Sequence, residues 1–167
     1  GPMAKQAEVP IDNFASTGGW TLGKEENGAI YYSKSEIIKL TLEQQKILED
    51  FAFNSYRPCC SNPTGFPDCN HGIAALALGE IMASQGATAE EIFEAFKYFN
   101  GFWFTETYFD IATYFQAKEN KDWKEVSGRI VAGKDFSTPQ GWQSVRQWLS
   151  ANNLLEEAPS SGGGCGV

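Results

Sequence analysis

The segment PCCSNPTGFPDCNHG, residues 58–72, holds three of the chain's four cysteines and its only histidine. Thiolate sulfur and neutral imidazole are the soft and borderline ligands that suit zinc, copper(I) and other thiophilic ions, so Cys59, Cys60, Cys69 and His71 form a candidate Cys3His set. Familiar structural zinc sites separate paired cysteines by about two to four residues. Here two cysteines are adjacent, eight residues follow, and one residue separates Cys69 from His71. Adjacent cysteines seldom turn both side chains toward one ion. The pattern therefore predicts that one of Cys59 and Cys60 joins a tight site, or that the two face different partners. Cys69 and His71 fall at the start of a predicted helix, where open amides and the helix dipole favour a thiolate. Asp68 or Asn70 is the expected cap of that helix.

The same sulfurs support other chemistry. A disulfide from Cys69 to Cys59 or Cys60 would close a loop of eleven or ten residues, stabilising the fold by about 2 to 3 kcal/mol through restriction of the unfolded chain. The sulfur left over would then pair with Cys165 near the C-terminus, and the loop would present a surface to a protein partner without any metal. Covalent haem needs C-x-x-C-H, but Asn70 intervenes between Cys69 and His71. Haem held non-covalently by His71 or a cysteine is the minor cofactor alternative. A thiol–disulfide oxidoreductase is the third reading, with Cys69 attacking and a neighbouring or tail cysteine resolving. The tail GGGCGV resembles the glycine-flanked C-terminal redox arms of some disulfide reductases over about six residues. Thioredoxin, flavin, nicotinamide, nucleophile-elbow and phosphate-loop motifs are all missing from the chain. Binding of a metal ion through Cys59, Cys60, Cys69 and His71, with Cys165 as an accessory or delivery thiol, is thus favoured over catalysis.

The elements that must position this loop read as helices. Thr41 with Gln44, and Thr88 with Glu91, make capping boxes. Thr138 before Pro139 is a further start signal. Apolar residues recur at helical spacing at Leu42, Ile47, Leu48, Phe51 and Phe53, and again at Ile92, Phe93, Phe96 and Phe99. Gly86, Gly101 and Gly133 read as helix ends, with further helices from about Thr105 and over 122–133. The face Gly72, Ala75, Gly79 and Ala83 is small, so it predicts close approach of a second helix or of a flat ligand. Aromatic residues, 14% of the chain, read mainly as core. The expected fold is mostly α, a single domain of five or six helices over 20–153, with room for a small N-terminal β-hairpin at Trp20–Leu22 and Ile30–Tyr32. Residues 1–19 read as a tag remnant and linker, and 154–167 as a flexible tail.

Charge narrows the partners. Thirteen basic against twenty-one acidic side chains leave a net charge of −8, without a basic run that would neutralise a series of phosphates, which argues against nucleic acid. Apolar runs fall short of the roughly 20 residues a bilayer span needs. Gly1 and Pro2 read as a protease-cleavage remnant, which leaves room for a trimmed leader or membrane anchor. Four cysteines favour an extracytoplasmic setting. A native start at Met3 would favour the cytoplasm instead.

Overall fold

The structure, a computed structural model, describes residues 37–155 together with 24–26, 30 and 35. Apart from Ile30, the expected hairpin strands lie outside these residues, as does the tail from 156 that carries Cys165. Among the described residues every regular element is helical: α1 (Leu42–Asn54), α2 (Asn70–Ser84), α3 (Ala89–Trp103), α4 (Thr105–Glu119), the one-turn α5 (Gly128–Val131) and α6 (Pro139–Ala151), with a 3-10 turn at Trp123–Glu125. The chain divides into two compact units, one taking in residues up to Phe53 and Asn62–Ile92, the other Asn54–Ser61 and residues from Phe93.

In the first unit α1 begins as its sequence dictates. The Thr41 N–H donates to Gln44 Oε1 at 2.9 Å, and the Gln44 N–H donates to Thr41 Oγ1 at 3.3 Å. Its buried face is narrower than the apolar pattern implied: Leu48, Phe51 and Ala52 are buried, whereas Leu42 is 78% exposed and Phe53 41%. Leu42 is the first residue of the helix, and Phe53 lies about 200° around the axis from Phe51 at 100° per residue. Neither can share the Phe51 stripe. That stripe meets the small face of α2, where Gly72, Ala75, Gly79 and Ala83 are the buried residues. A Cβ on Gly79 would lie 2.8 Å from Phe51 Cδ1 and 2.9 Å from Leu48 Cδ1, so this glycine is what lets the helices close up. The small face serves helix packing. Burying Phe51 fully stabilises the pair by about 1.5 to 3 kcal/mol. Gln44 Nε2 reaches Ser84 O at 3.2 Å, tying the start of α1 to the end of α2.

Helix α2 ends at the predicted glycine. Gly86, at φ +92°, donates its N–H to Ala83 O, and Ala87 donates to Met82 O, which caps the last carbonyls as in a Schellman motif. Helix α3 follows, opened by the Thr88–Glu91 box: Thr88 N–H to Glu91 Oε2 at 2.8 Å and Glu91 N–H to Thr88 Oγ1 at 3.3 Å. The Thr88 backbone N–H, and secondarily its hydroxyl, hold the Glu91 carboxyl below its ordinary value. A depressed carboxyl favours the folded state above the ordinary carboxylate range, and this contribution is lost as pH falls through the lowered value. Thr88→Ala is expected to cost about 1 kcal/mol in denaturant unfolding at neutral pH. The difference between wild type and Glu91→Gln should shrink in acid, and a difference that grows there would refute the cap.

In the second unit Gly101 does not end α3, which continues to Trp103. A single interior glycine costs only about 1 kcal/mol, and the neighbouring Asn100 anchors that turn. Its Nδ2 donates to Tyr56 O at 3.1 Å and to Tyr108 Oη at 2.8 Å. Ser137 Oγ donates to Val131 O at 2.7 Å, so the Tyr108 hydroxyl donates in turn to Ser137 Oγ, also at 2.7 Å. Burial holds the Tyr108 phenol far above its usual range. Around it Ile111, Phe115, Val126, Val131, Val145 and Leu149 form the core. Tyr114 packs edge-on against Trp148 at 5.0 Å, and Phe115 lies 5.0 Å from Phe136. Among the described aromatics Phe51, Phe93, Phe96, Tyr108 and Phe115 are buried and Tyr114, Trp123, Phe136 and Trp148 are half-buried against the core, whereas Phe53, Tyr98, Phe99 and Phe102 are exposed, Phe102 at 81%. Helices α4 and α6 are also joined by polar groups. Trp142 Nε1 donates to Asp110 Oδ2 at 2.7 Å, and burial raises the Asp110 carboxyl.

The helix expected over 122–133 is two short pieces. Asp122 and Glu125 cap the 3-10 turn, Val126 is extended, and α5 starts afresh at Gly128. Two contacts with α3 prevent continuity. The buried Lys97 ammonium takes the Val126 carbonyl at 2.9 Å and the Trp123 carbonyl at 3.2 Å. Gly128 lies so close to α3 that a Cβ there would sit 2.5 Å from Phe93 O. Helix α6 starts as predicted, with the Gly141 N–H donating to Thr138 Oγ1 at 3.0 Å and Pro139 in the first turn.

Candidate metal centre

The arm that carries the vicinal cysteines is pinned by backbone bonds. The Tyr56 N–H donates to Ala132 O at 2.8 Å, while the Tyr56 carbonyl accepts from Asn100. Arg57 to Cys60 is a β-turn closed by the Cys60 N–H on Arg57 O at 3.2 Å, with Pro58 at its second position, where a fixed φ is favoured. Cys59 therefore occupies the third position of the turn and is exposed. Cys60 is the fourth residue of the turn, and its sulfur accepts from Arg57 Nη2 at 3.3 Å. The turn sends two adjacent cysteines to different partners. At the end of this arm Ser61 Oγ donates to Gln140 Oε1 at 3.0 Å.

The second arm is braced by α1 and by its own residues. The Gly65 N–H donates to Ala52 O at 2.7 Å, the Phe66 N–H to Pro63 O at 2.9 Å and the Asp68 N–H to Phe66 O at 2.9 Å. Asn62 Nδ2 donates to Asp68 Oδ2 at 2.8 Å, so the Asp68 carboxylate closes the loop and does not cap the helix. Asn70 does not cap it either, since it is the first residue of α2. The cap position belongs to Cys69, in extended conformation at φ −142° and ψ 171°, with its carbonyl accepting from the Ile73 N–H. The expected caps are thereby corrected: the brace from Asn62 draws Asp68 away and moves the helix start one residue past Cys69.

Cys59, Cys69 and His71 each present one ligand atom, and the three atoms lie within 4.8 Å of one another. Cys69 and His71 are half-buried. Zn–S is about 2.3 Å and Zn–N about 2.0 to 2.1 Å, which puts tetrahedral ligand atoms between about 3 and 4 Å apart, a spacing that lies inside the 4.8 Å limit. No disulfide joins Cys59, Cys60 or Cys69. Of the predicted ligand set the structure brings three together. Cys60 is outside that group and Cys165 is outside the described residues.

Arg57 is the residue that the sequence did not single out. Its side chain is fully buried and aims a guanidinium N–H at Cys60. A single arginine ahead of two cysteines has no distinctive spacing, and its burial depends on segments far away in the chain. No helix among the described residues is long and apolar enough to cross a membrane. Comparison of the chain with protein-family models, with curated proteins and with solved structures yields no match.

Proposed function

We propose that the loop 58–72 binds one thiophilic metal ion, zinc or copper(I), through the sulfurs of Cys59 and Cys69 and an imidazole nitrogen of His71. The observation that carries this reading is the approach of three soft or borderline donors within 4.8 Å. Two thiolates and a neutral imidazole match the preference of these ions over magnesium or calcium, which take oxygen ligands. Three protein ligands leave one position of a tetrahedral zinc ion for water or for a further thiol, and Cys165 is the candidate for the latter. Copper(I) is satisfied by three such ligands. Exposure of Cys59 leaves the ion open to ligand exchange on one side, which suits trafficking or sensing by hand-over to a thiol-bearing protein partner.

The test is equilibrium dialysis of the fully reduced chain against zinc and, separately, copper(I), followed by elemental analysis. One ion per chain is expected, with binding weakened in acid because the ligands must be deprotonated. Uptake of neither ion by the reduced protein rejects the site.

A further inference from the structure

The two sulfurs proposed to hold the ion are also placed to combine with each other. The Cys59 and Cys69 sulfurs lie within 4.8 Å, and a disulfide needs about 2.05 Å between them, so joining them requires the pair to draw together. Ligation needs both as thiolates, and a disulfide sulfur is a poor ligand. Metal binding and disulfide formation are therefore mutually exclusive uses of one pair of atoms. The remaining loop thiol lies outside that group: Cys60 closes the turn, and its sulfur accepts from the Arg57 guanidinium at 3.3 Å.

Resting on the metal-binding proposal, we infer that the centre is a redox-gated metal site, in which a peroxide oxidises Cys59 and Cys69 to a disulfide and expels the ion. The exposed Cys59 sulfur attacks one oxygen of hydrogen peroxide; the O–O bond breaks, leaving a sulfenic acid on Cys59 and one hydroxide. The Cys69 sulfur then displaces the second hydroxide, forming the S–S bond. Two electrons pass from the two sulfurs to the peroxide, the two hydroxides take up two protons to become water, and a divalent ion leaves with its charge unchanged. His71 alone is too weak a site to retain it. A dithiol reductant reverses the disulfide and restores the site.

The experiment uses zinc, which has no redox chemistry of its own. The reduced full chain is loaded with zinc and titrated with hydrogen peroxide, while released zinc is read with a chromogenic chelator and disulfides are mapped by mass spectrometry of unreduced peptides. The expected result is close to one zinc released per peroxide consumed, a Cys59–Cys69 linkage lighter by two hydrogens, and recovery of binding after dithiothreitol. Cys60→Ser should behave as wild type, since serine can still accept from Arg57. Zinc that stays bound once Cys59 and Cys69 are linked, a linkage through Cys60 or Cys165 in their place, or loss of release in Cys60→Ser overturns this inference and leaves the metal site standing. Failure of the reduced protein to take up zinc overturns both.

Discussion

Cys69→Ser is expected to abolish metal retention. Cys69 occupies the cap position of α2 in an extended conformation, and the fifteen-residue helix that follows carries His71 two residues later, so one rigid element sets both donors. The N-terminus of a helix and its dipole favour a thiolate at that end. Serine keeps the shape and removes the soft donor. Loss of a partner that merely orients a ligand costs about 10- to 100-fold in affinity, and loss of the ligand itself should exceed that. Cys59→Ser should be comparably damaging, His71→Ala less so, and Cys60→Ser close to neutral because its sulfur is engaged by Arg57. Competition titration with a chelator of known affinity, done on the reduced proteins, ranks the four. If Cys165→Ser proves more damaging than Cys69→Ser, the tail is the active element and the loop-centred proposal fails.

Outside the loop, Lys97→Met should destabilise the fold more than loss of the Thr88 cap. The Lys97 side chain is fully buried, yet its ammonium is well partnered: Val126 O at 2.9 Å, Trp123 O at 3.2 Å, the Glu94 carboxylate one turn away, and the Trp123 ring at 5.1 Å. Glu94 in turn accepts the Gly128 N–H at 3.0 Å. One cation thus replaces the helix ladder that the 122–133 segment lacks. Methionine fills much of the volume but donates nothing. Each carbonyl left unsatisfied in the interior costs about 1 to 3 kcal/mol, which puts the loss at about 2 to 6 kcal/mol for the two. Urea unfolding monitored by tryptophan fluorescence measures it, and a loss under about 1 kcal/mol would show that the buried ammonium merely offsets its own desolvation.

The helices were legible because their signals are local. The Thr41–Gln44, Thr88–Glu91 and Thr138–Pro139 starts depend on bonds between residues three apart, and all three form as their sequences imply. Gly86 ends α2 for a similar reason: its positive φ is a property of one residue. The expectations that failed are those in which a distant group competes. Gly101 should have stopped α3, but the Asn100 bonds to Tyr56 and Tyr108 hold that turn helical. The 122–133 stretch has helical composition, but Lys97 on α3 takes its carbonyls. Asp68 looked like a cap, and Asn62 turned it into a brace.

The loop shows the same division. Residue types alone determined that this chain concentrates its soft ligands in 58–72 and that two adjacent cysteines would diverge, since ligand softness and the geometry of neighbouring side chains need no tertiary information. Only the folded chain decided which sulfur goes where. The turn after Arg57 exposes Cys59, the buried guanidinium takes Cys60, and the start of α2 sets Cys69 beside His71. Those outcomes depend on where buried Arg57, Ala132 and the bracing pair Asn62 and Asp68 come to rest. A hydrogen bond between residues far apart in sequence is specified by packing, which no local pattern of side chains encodes.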